Sequence, residues 1–472
     1  MTPSSARFSA QILGRGRFKE HLPDVFECAL HCIGALNKKI NYDGDDFIAE
    51  IGANMNILTR IKQNYIDPIH SFERSAKLLL WMTIINGIIF SGWQLFYNFY
   101  MLESGFSRDF LGILNSLPSM AALLFGVPIG WLSDRIGRKR SILIGITLAS
   151  ITMIGQVTFH QPTLILIMAF LTGIFNMLFL VSLAPLMMKL SNNKNRASLF
   201  SLNYGLQTIA GAVGSVFAGQ LPALFGSLLK VEATSASAYQ AVLITSVLLG
   251  TTAIIPTWLM QEPRAPLPEP EPGAESGRIS SSRALTILKL VTPNLLIGSG
   301  AAILIPYMNV FLRERFNIAD SILGTLFSLT SLLIGVGSLI GPRLSMHLGG
   351  KIRTVVLTQF GSLIFLMTIG FTPYLWMASI SFLLRAALMN MAAPLYSAFC
   401  MEQTPEKEQG LVNSILNISW QLGWAVGPYI SGIVQENYGF TPLFIATGIL
   451  YTTAISLTWI LFHGAEQSDS TK

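Results

Sequence analysis

The sequence predicts an all-α membrane protein with twelve transmembrane helices in two six-helix bundles. Of its 472 residues, 51% are hydrophobic, which is close to the ~240 residues that twelve spans of about 20 residues require. Only 12% are charged, whereas a soluble globular protein has about a quarter. Short motifs also recur about 210 residues apart, which indicates two related halves.

Residues 1–76 are predicted to form a polar cytoplasmic leader. It lacks the long apolar core of a cleaved signal peptide. Cys28, His31 and Cys32 have no fourth ligand at a zinc-like spacing, so no metal site is predicted. Met55 precedes a basic juxtamembrane run and is a second candidate start. Because residues 1–54 are polar and carry no motif tied to the membrane body, we expect them to be dispensable for transport.

The first bundle is predicted over 77–260. Its apolar stretches are long enough to cross a bilayer and apolar nearly all round, as expected of helices that contact lipid and one another. Spans 1 to 6 are predicted at 77–101, 110–133, 141–160, 163–189, 198–226 and 239–260.

The second bundle is predicted over 291–463. A Pro-rich hydrophilic stretch at 261–290 precedes it and reads as a cytoplasmic linker, and residues 464–472 read as a cytoplasmic tail. Spans 7 to 12 are predicted at 291–312, 321–345, 354–372, 375–401, 411–435 and 441–463.

Related residues in the two bundles support the division into halves. The string 132–139 aligns with 344–351, and Ala184-Pro185 aligns with Ala393-Pro394. Duplicated bundles predict a binding site where they meet. The other aligned pairs are Ser201 with Ser414, Gly214 with Gly427 and Gly219 with Gly432.

The distribution of Lys and Arg predicts that both termini are cytoplasmic. With that orientation the inner links and tail hold 16 basic residues and the outer links hold four, namely Arg108, Lys230, Arg313 and Arg315. The basic residues do not cluster with aromatics as in a nucleic-acid-binding surface, so no nucleic-acid partner is predicted.

A glycine-rich basic motif lies between spans 2 and 3, with the sequence Gly130-Trp-Leu-Ser-Asp134-Arg-Ile-Gly137-Arg-Lys-Arg140. It resembles the cytoplasmic signature of the major facilitator superfamily at every defined position. The resemblance implies a conformational latch in which Asp134 accepts hydrogen bonds from free amides at the start of span 11, near Gly410 and Leu411. The alternative is a positive-inside anchor alone. The predicted latch residues are Gly130, Asp134, Arg135, Gly137, Arg138, Lys139 and Arg140.

One strongly basic residue, Arg385, lies deep within a predicted span, in span 10. The resemblance implies that spans 1, 4, 7 and 10 line a central cavity, where Arg385 would bind an anionic group of a small-molecule substrate. The alternative is a structural Arg bonded to carbonyls or to Tyr and Asn side chains. A charge at this depth costs at least ~2.5 kcal/mol, so either interpretation requires a partner or a wet cavity.

Other polar side chains at span centres are candidates for the same cavity. Each is interpreted either as interhelical hydrogen bonding or as a substrate contact. They are Gln94, Asn98, Asn176, Gln207, Asn309, Tyr396 and Gln421.

These features predict a gradient-driven secondary transporter of a small organic solute that works by alternating access. We expect a monomer in the plasma (inner) membrane, in contact with the lipid bilayer and without a cofactor. No Asp or Glu lies well inside a predicted span, so the sequence does not establish proton coupling. An antiporter-type Gly-Pro pattern lies in span 11 rather than span 5, so both export and uptake stay open as transport directions. The alternative is a membrane sensor that keeps the transporter fold without net transport. An enzyme is not predicted, because the sequence contains no His-Glu-x-x-His, no Gly-x-Ser-x-Gly and no phosphate loop with Lys-Ser/Thr.

Overall fold

The computed structural model describes residues 72–192, 195–263, 281–405 and 408–464. Long helices account for nearly all of these residues, and the helical parts match twelve spans. The fold class predicted from the sequence is therefore confirmed. The leader, with Cys28, His31, Cys32 and Met55, lies outside the described residues.

Spans 1 to 6 begin and end within a few residues of their predicted limits. Span 6 is interrupted after Thr251, because Pro256 has no amide hydrogen and its ring excludes the carbonyl four residues earlier. The helices are Arg74–Glu103, Arg108–Ile136, Arg138–Thr158, Pro162–Lys189, Arg196–Leu229, and Ala236–Thr251 followed by Ile254–Leu259.

Span 7 differs most from its prediction. Its helix begins at Ser281, inside the stretch predicted as linker, and it is interrupted by a 3-10 turn at Ile305–Tyr307, where Pro306 removes an amide donor. The helices of spans 7 to 12 are Ser281–Leu304 with Met308–Phe316, Asp320–His347, Lys351–Phe371, Leu375–Glu402, Gln409–Tyr438 and Thr441–Phe462.

Among the described residues, eleven segments have the length and hydropathy of a membrane span. The span 11 helix, Gln409–Tyr438, is as long as the others but is not among the eleven. Its several Asn, Gln and Ser side chains lower its mean hydropathy. This polarity follows from its position, since span 11 packs between spans 2 and 7.

The helices pack by the same rule in each half. In the first half span 1 packs against spans 5 and 6, and span 4 against spans 2 and 3. In the second half span 7 packs against spans 11 and 12, and span 10 against spans 8 and 9. The halves meet through span 2 with span 11 and span 5 with span 8.

Candidate functional site

We refer to the two ends of the bundle by one residue at each. The Gly137 end carries the link between spans 2 and 3, and the Glu103 end carries the link between spans 1 and 2. At the Glu103 end, glycines allow the backbones of the two halves to touch. A Cβ atom on Gly112 would lie 3.0 Å from the Cα of Gly432, and one on Gly324 would lie 2.8 Å from the Cα of Gly219.

Charged and hydrogen-bonding side chains also join the halves at the Glu103 end. Arg108 Nη2 lies 2.7 Å from Glu314 Oε1, and the Arg108 amide donates to Glu436 Oε2 at 2.9 Å. A further group, which we call the Arg313 cluster, consists of Phe99, Tyr239, Arg313 and Asp320.

In the Arg313 cluster, spans 1 and 6 of the first half meet spans 7 and 8 of the second. The Tyr239 hydroxyl donates to Asp320 Oδ2 at 2.9 Å and accepts from Arg313 Nη1. Arg313 Nη1 lies 3.5 Å from Asp320 Oδ1, and its guanidinium lies 4.6 Å from the centre of the Phe99 ring. Both charged side chains are largely buried, so the cluster closes this end with partly desolvated polar contacts.

At the Gly137 end the corresponding glycines are not packed. A Cβ atom on Gly130, Gly205 or Gly410 would meet no atom within 4 Å. The halves are therefore in close contact at the Glu103 end and are apart at Gly130, Gly205 and Gly410, beyond a last approach where Thr208 of span 5 lies 3.3 Å from the Cβ position of Gly335 in span 8.

A cavity of about 530 Å³ lies between these regions. Residues of the first half form most of its wall, and Ile305, Pro306, Asn309, Phe327 and Trp424 come from the second half. The predicted cavity residues Gln94, Asn98, Asn176, Gln207 and Asn309 all line it.

Three predicted cavity residues are not among those that line it. Arg385 is 6% exposed and its Nη2 lies 3.2 Å from the Tyr451 hydroxyl of span 12, because it faces the interior of the second half. The Tyr396 hydroxyl donates to the Leu290 carbonyl at 2.7 Å. Gln421 precedes the lining residue Trp424 by three positions on span 11.

Asn98 and Asn309 form what we call the amide lock at the break in span 7. Asn98 Nδ2 donates to the Pro306 carbonyl at 2.6 Å and to Asn309 Oδ1 at 3.2 Å. Asn309 Nδ2 donates to the Leu95 carbonyl at 2.8 Å, and Asn115 Nδ2 donates to Asn98 Oδ1. The break in span 7 thus exposes a carbonyl that span 1 binds across the two halves.

The predicted latch residues lie together at the Gly137 end, with contacts inside the first half. Asp134 is paired with Arg138 one turn later, and Arg135 stacks on the Trp131 ring, 3.5 Å from its centre. Gly137 has a φ of 93°, a conformation that glycine adopts without strain and that allows span 3 to begin directly after span 2. In this conformation the contacts of Asp134 are therefore not with the start of span 11.

A different carboxylate, Glu262, binds the exposed amides at the start of span 3. It accepts from the amides of Arg138 at 3.4 Å and Lys139 at 3.0 Å, and its Oε1 lies 2.7 Å from Lys189 Nζ. Burial raises the pKa of Glu262, but the hydrogen bonds from Lys189 and these amides outweigh it, so its pKa lies below the ordinary glutamate value. We call Glu262, Lys189 and these two amides the Glu262 clamp.

The remaining latch residues complete this end of the first half. Lys139 Nζ donates to the Trp258 and Met260 carbonyls at the end of span 6. Arg140 follows in the first turn of span 3.

Sequence reasoning missed several residues of these sites. Glu262 fell in the stretch assigned to the linker, although it directly follows span 6. Gln156 and Thr172, which hydrogen-bond to each other at 2.7 Å in the cavity wall, were visible as polar residues inside apolar runs. Asp320 was the acid closest to the start of span 8, but the sequence did not reveal its pairing with Tyr239.

Comparisons with known proteins agree with this architecture. A family model described as Major Facilitator Superfamily matches residues 79–299 and 290–472. The solved structure of a bacterial homologue of the human lysosomal transporter Spinster, in an inward-facing and occupied conformation, superposes with a TM-score of 0.67 at 15% identity, covering 82% of this chain and 95% of that one. The nucleoside transporter NupG superposes with a TM-score of 0.60 at 16% identity, covering 82% of this chain and 98% of that one.

Relatives by sequence are more distant or partial. The multidrug resistance protein MdtG of Yersinia enterocolitica is 25% identical over 179 residues, which is 36% of this chain and 42% of that protein. The chain thus matches less than half the length of this relative. An uncharacterized membrane protein of Saccharomyces cerevisiae is 21% identical over 401 residues, covering 76% of this chain and 88% of that protein. With the family model matching nearly all of the spans, this multi-pass membrane protein belongs to the Major Facilitator Superfamily.

Proposed function

We propose that the chain is a gradient-driven secondary transporter that moves a small organic solute by alternating access. The observation that supports this most directly is a central cavity between halves that touch at the Glu103 end and are apart at Gly130, Gly205 and Gly410. A rigid-body rocking of the halves would exchange the closed end for the open one.

The placement of Lys and Arg supports an orientation with both termini in the cytoplasm of a cell whose plasma membrane contains the protein. The Gly137 end then faces the cytoplasm, and the conformation is inward-open. We propose that Asp134 and Gly130 act as a latch in the opposite state, when the Gly137 ends of spans 2 and 11 approach. The similarity to MdtG supports export as the direction to test first.

The test is transport by the purified full chain in proteoliposomes, with a proton or sodium gradient imposed in either direction. We expect a solute to accumulate against its gradient, and a cavity-blocking Asn176→Trp variant to abolish accumulation. A matched Asn437→Trp variant, which alters an exposed residue of span 11 near the Glu103 end, should transport normally. Folded protein that moves no member of a chemically diverse panel would contradict the proposal and favour a sensor.

Orientation is tested separately with single cysteines in a chain whose three native cysteines are replaced. Ser104→Cys at the Glu103 end should react with an impermeant maleimide added outside cells, and Ser191→Cys at the Gly137 end should react only after permeabilisation. The reverse pattern would overturn the assignment of the inward-open state.

A further inference from the structure

The cavity wall carries polar groups but no formal charge. Its lining residues include no Asp, Glu, Lys, Arg or His. They do include eight carboxamide side chains, so hydrogen bonding rather than formal charge dominates the polar part of the wall. The carboxamides are Asn86, Gln94, Asn98, Asn115, Gln156, Asn176, Gln207 and Asn309.

Four of these carboxamides have spare hydrogen-bonding capacity. Asn98, Asn115 and Asn309 are engaged in the amide lock, and Gln156 is bonded to Tyr97 and Thr172. The other four make no side-chain hydrogen bond to another described residue, and we call them the free carboxamides. They are Asn86, Gln94, Asn176 and Gln207, on spans 1, 4 and 5.

Each free carboxamide presents two N–H donors and one carbonyl acceptor on the same flat group. Gln94, Asn176 and Gln207 are exposed although they lie near the middle of long helices, so the accessible space around them is that of the cavity. Such groups hydrogen-bond to amides, hydroxyls and ring nitrogens in either sense.

Flat aromatic surfaces lie beside these groups. Trp93 and Tyr97 stack on each other with ring centres 4.5 Å apart, and Phe90, Phe179 and Phe327 also line the cavity. Trp424 lines it from the second half, and its indole N–H has no hydrogen-bond partner among the described residues. The combination favours a ring that stacks on aromatic faces while its edge hydrogen-bonds.

A charged solute would lose its hydration here without gaining an ion pair. Moving an ion out of water is costly unless an opposite charge or several strong hydrogen bonds replace the solvent. The Arg385 guanidinium, which the sequence suggested as the partner of an anion, is buried against Tyr451 and is not in the cavity wall. An uncharged polar solute exchanges its water for carboxamides at little net cost.

We propose that the transported solute is uncharged, with a flat ring and adjacent hydrogen-bond donors and acceptors on its edge, and that the free carboxamides recognise it. This inference rests on the proposed transport function. It excludes the anionic substrate that the sequence suggested. A cation, which the aromatic faces attract but no carboxylate balances, is the competing case in the test below.

The test uses charge-matched sets of aromatic compounds that share one ring. Nicotinamide, nicotinate and 1-methylnicotinamide carry charges of 0, −1 and +1 on one pyridine ring, and further sets extend this to larger rings. Uptake of each compound is measured by mass spectrometry in proteoliposomes of the full chain, and uptake by protein-free liposomes is subtracted, because uncharged compounds also cross a bilayer unaided. We expect uncharged members to be carried at least about tenfold faster than their ionic counterparts, and Gln94→Leu to reduce that uptake.

A second set of variants tests whether the charge of the cavity wall sets the preferred charge of the solute. Asn176→Asp and Gln207→Glu change one atom of the side chain and add a negative charge, so each should shift preference towards the cationic member by about tenfold or more. Asn437→Asp, which alters an exposed carboxamide of span 11 that bonds to the Ile433 carbonyl, should leave preference unchanged.

The outcomes separate the two proposals. Faster transport of anions or cations by the wild-type chain, or unchanged preference in both folded acidic variants, would overturn the inference while leaving transport intact. Failure of every charge class to move through folded protein would overturn the proposed function itself, and this inference with it.

Discussion

Glu262 holds three helices together at the Gly137 end of the first half. It combines an ion pair to Lys189 at the end of span 4 with hydrogen bonds from the first amides of span 3, and it follows span 6 directly. A carboxylate at a helix N-terminus is stabilised both by the free amides and by the helix dipole. This explains why a charged residue just outside a span is only partly exposed.

Replacing Glu262 with Gln should destabilise the folded protein. The variant keeps the size of the side chain but loses the ion pair and the charged acceptor, and hydrogen bonds to charged groups contribute about 1.5–3 kcal/mol. We expect Tm in detergent to fall by a few degrees. Glu232→Gln, at an exposed position outside the clamp, is the matched control and should leave Tm unchanged.

The same residue predicts a pH dependence of stability. The pKa of Glu262 is lower in the folded chain than in the unfolded chain, so its stabilisation is complete above the unfolded value of about 4.3 and is lost as the pH falls through the folded value. Between pH 5 and pH 3, Tm should fall more steeply for the wild type than for Glu262→Gln. Parallel curves for the two proteins would contradict the ionised clamp.

Arg385 makes a different prediction because its side chain is buried outside the cavity. Arg385→Lys should change the KM for a transported solute by less than about threefold, since a group that does not contact substrate contributes little to binding. Transport assays on Arg385→Lys and Gln94→Leu side by side separate the positions, and only the second should raise KM. A large KM increase in folded Arg385→Lys would place the guanidinium at the substrate.

At the scale of helices, the most informative element is span 7. Its 3-10 turn at Ile305–Tyr307 releases the Pro306 carbonyl to Asn98, and the following short helix carries Arg313 to Tyr239. The interruption therefore joins span 7 to spans 1 and 6 of the other half. In the proposed cycle, opening the Glu103 end would break these contacts together.

Tyr239→Phe should favour opening at the Glu103 end. The ring and its packing against Phe96 remain, while the hydroxyl that bridges to Asp320 is lost. A hydrogen bond with a net contribution of about 1 kcal/mol corresponds to about a fivefold shift in the equilibrium between two conformations. Labelling of Gln94→Cys, an exposed cavity position outside the amide lock, by a reagent confined to the Glu103 side should accelerate accordingly. Tyr429→Phe, at an exposed position on span 11, should have no effect.

At the scale of the whole molecule, glycines of spans 5 and 11 make equivalent contacts. Gly214 packs on Ile88 of span 1 and Gly219 on Gly324 of span 8, whereas Gly427 packs on Ala302 of span 7 and Gly432 on Gly112 of span 2. Each helix thus contacts its own half first and the other half five residues later. The Gly-Pro pattern in span 11 that resembled an antiporter motif is part of this packing.

Substitutions at the two ends of these helices should have opposite effects. Gly432→Val would push the halves apart at the Glu103 end, where overpacking costs about 1–3 kcal/mol, and should disfavour the described conformation. Gly130→Val meets open space here and should instead disfavour the proposed state in which the Gly137 ends approach. Spin-label distances between Ser191→Cys and Met346→Cys should shorten on average with the first substitution and stay long with the second.

The sequence predicted the fold well because membrane spans and the duplication leave long, repeated signals. It also predicted that Gln94, Asn98, Asn176, Gln207 and Asn309 line a cavity, because a polar residue at a span centre needs a partner or a cavity. The sequence did not distinguish these residues from Tyr396 or Arg385. When a helix is apolar on all sides, its sequence does not show which face points towards the cavity, because that depends on the neighbouring helices. Asp320 and Tyr239 lie 81 positions apart, so only the folded chain brings them together.

In the proposed alternating-access cycle, the location of the glycine contacts would set how far the Gly137 end opens for a given tilt of the helices. Gly112 lies one turn from the start of span 2, and the helix continues for 24 residues to Ile136, or about 36 Å at 1.5 Å per residue. The contact at Gly112 therefore lies near one end of span 2, and most of the helix extends beyond it. In the proposed cycle, a tilt of about 10° at Gly112 would displace Ile136 by about 6 Å, so a contact that depends on the missing side chain of Gly112 would control the width of the opening at the other end of the helix.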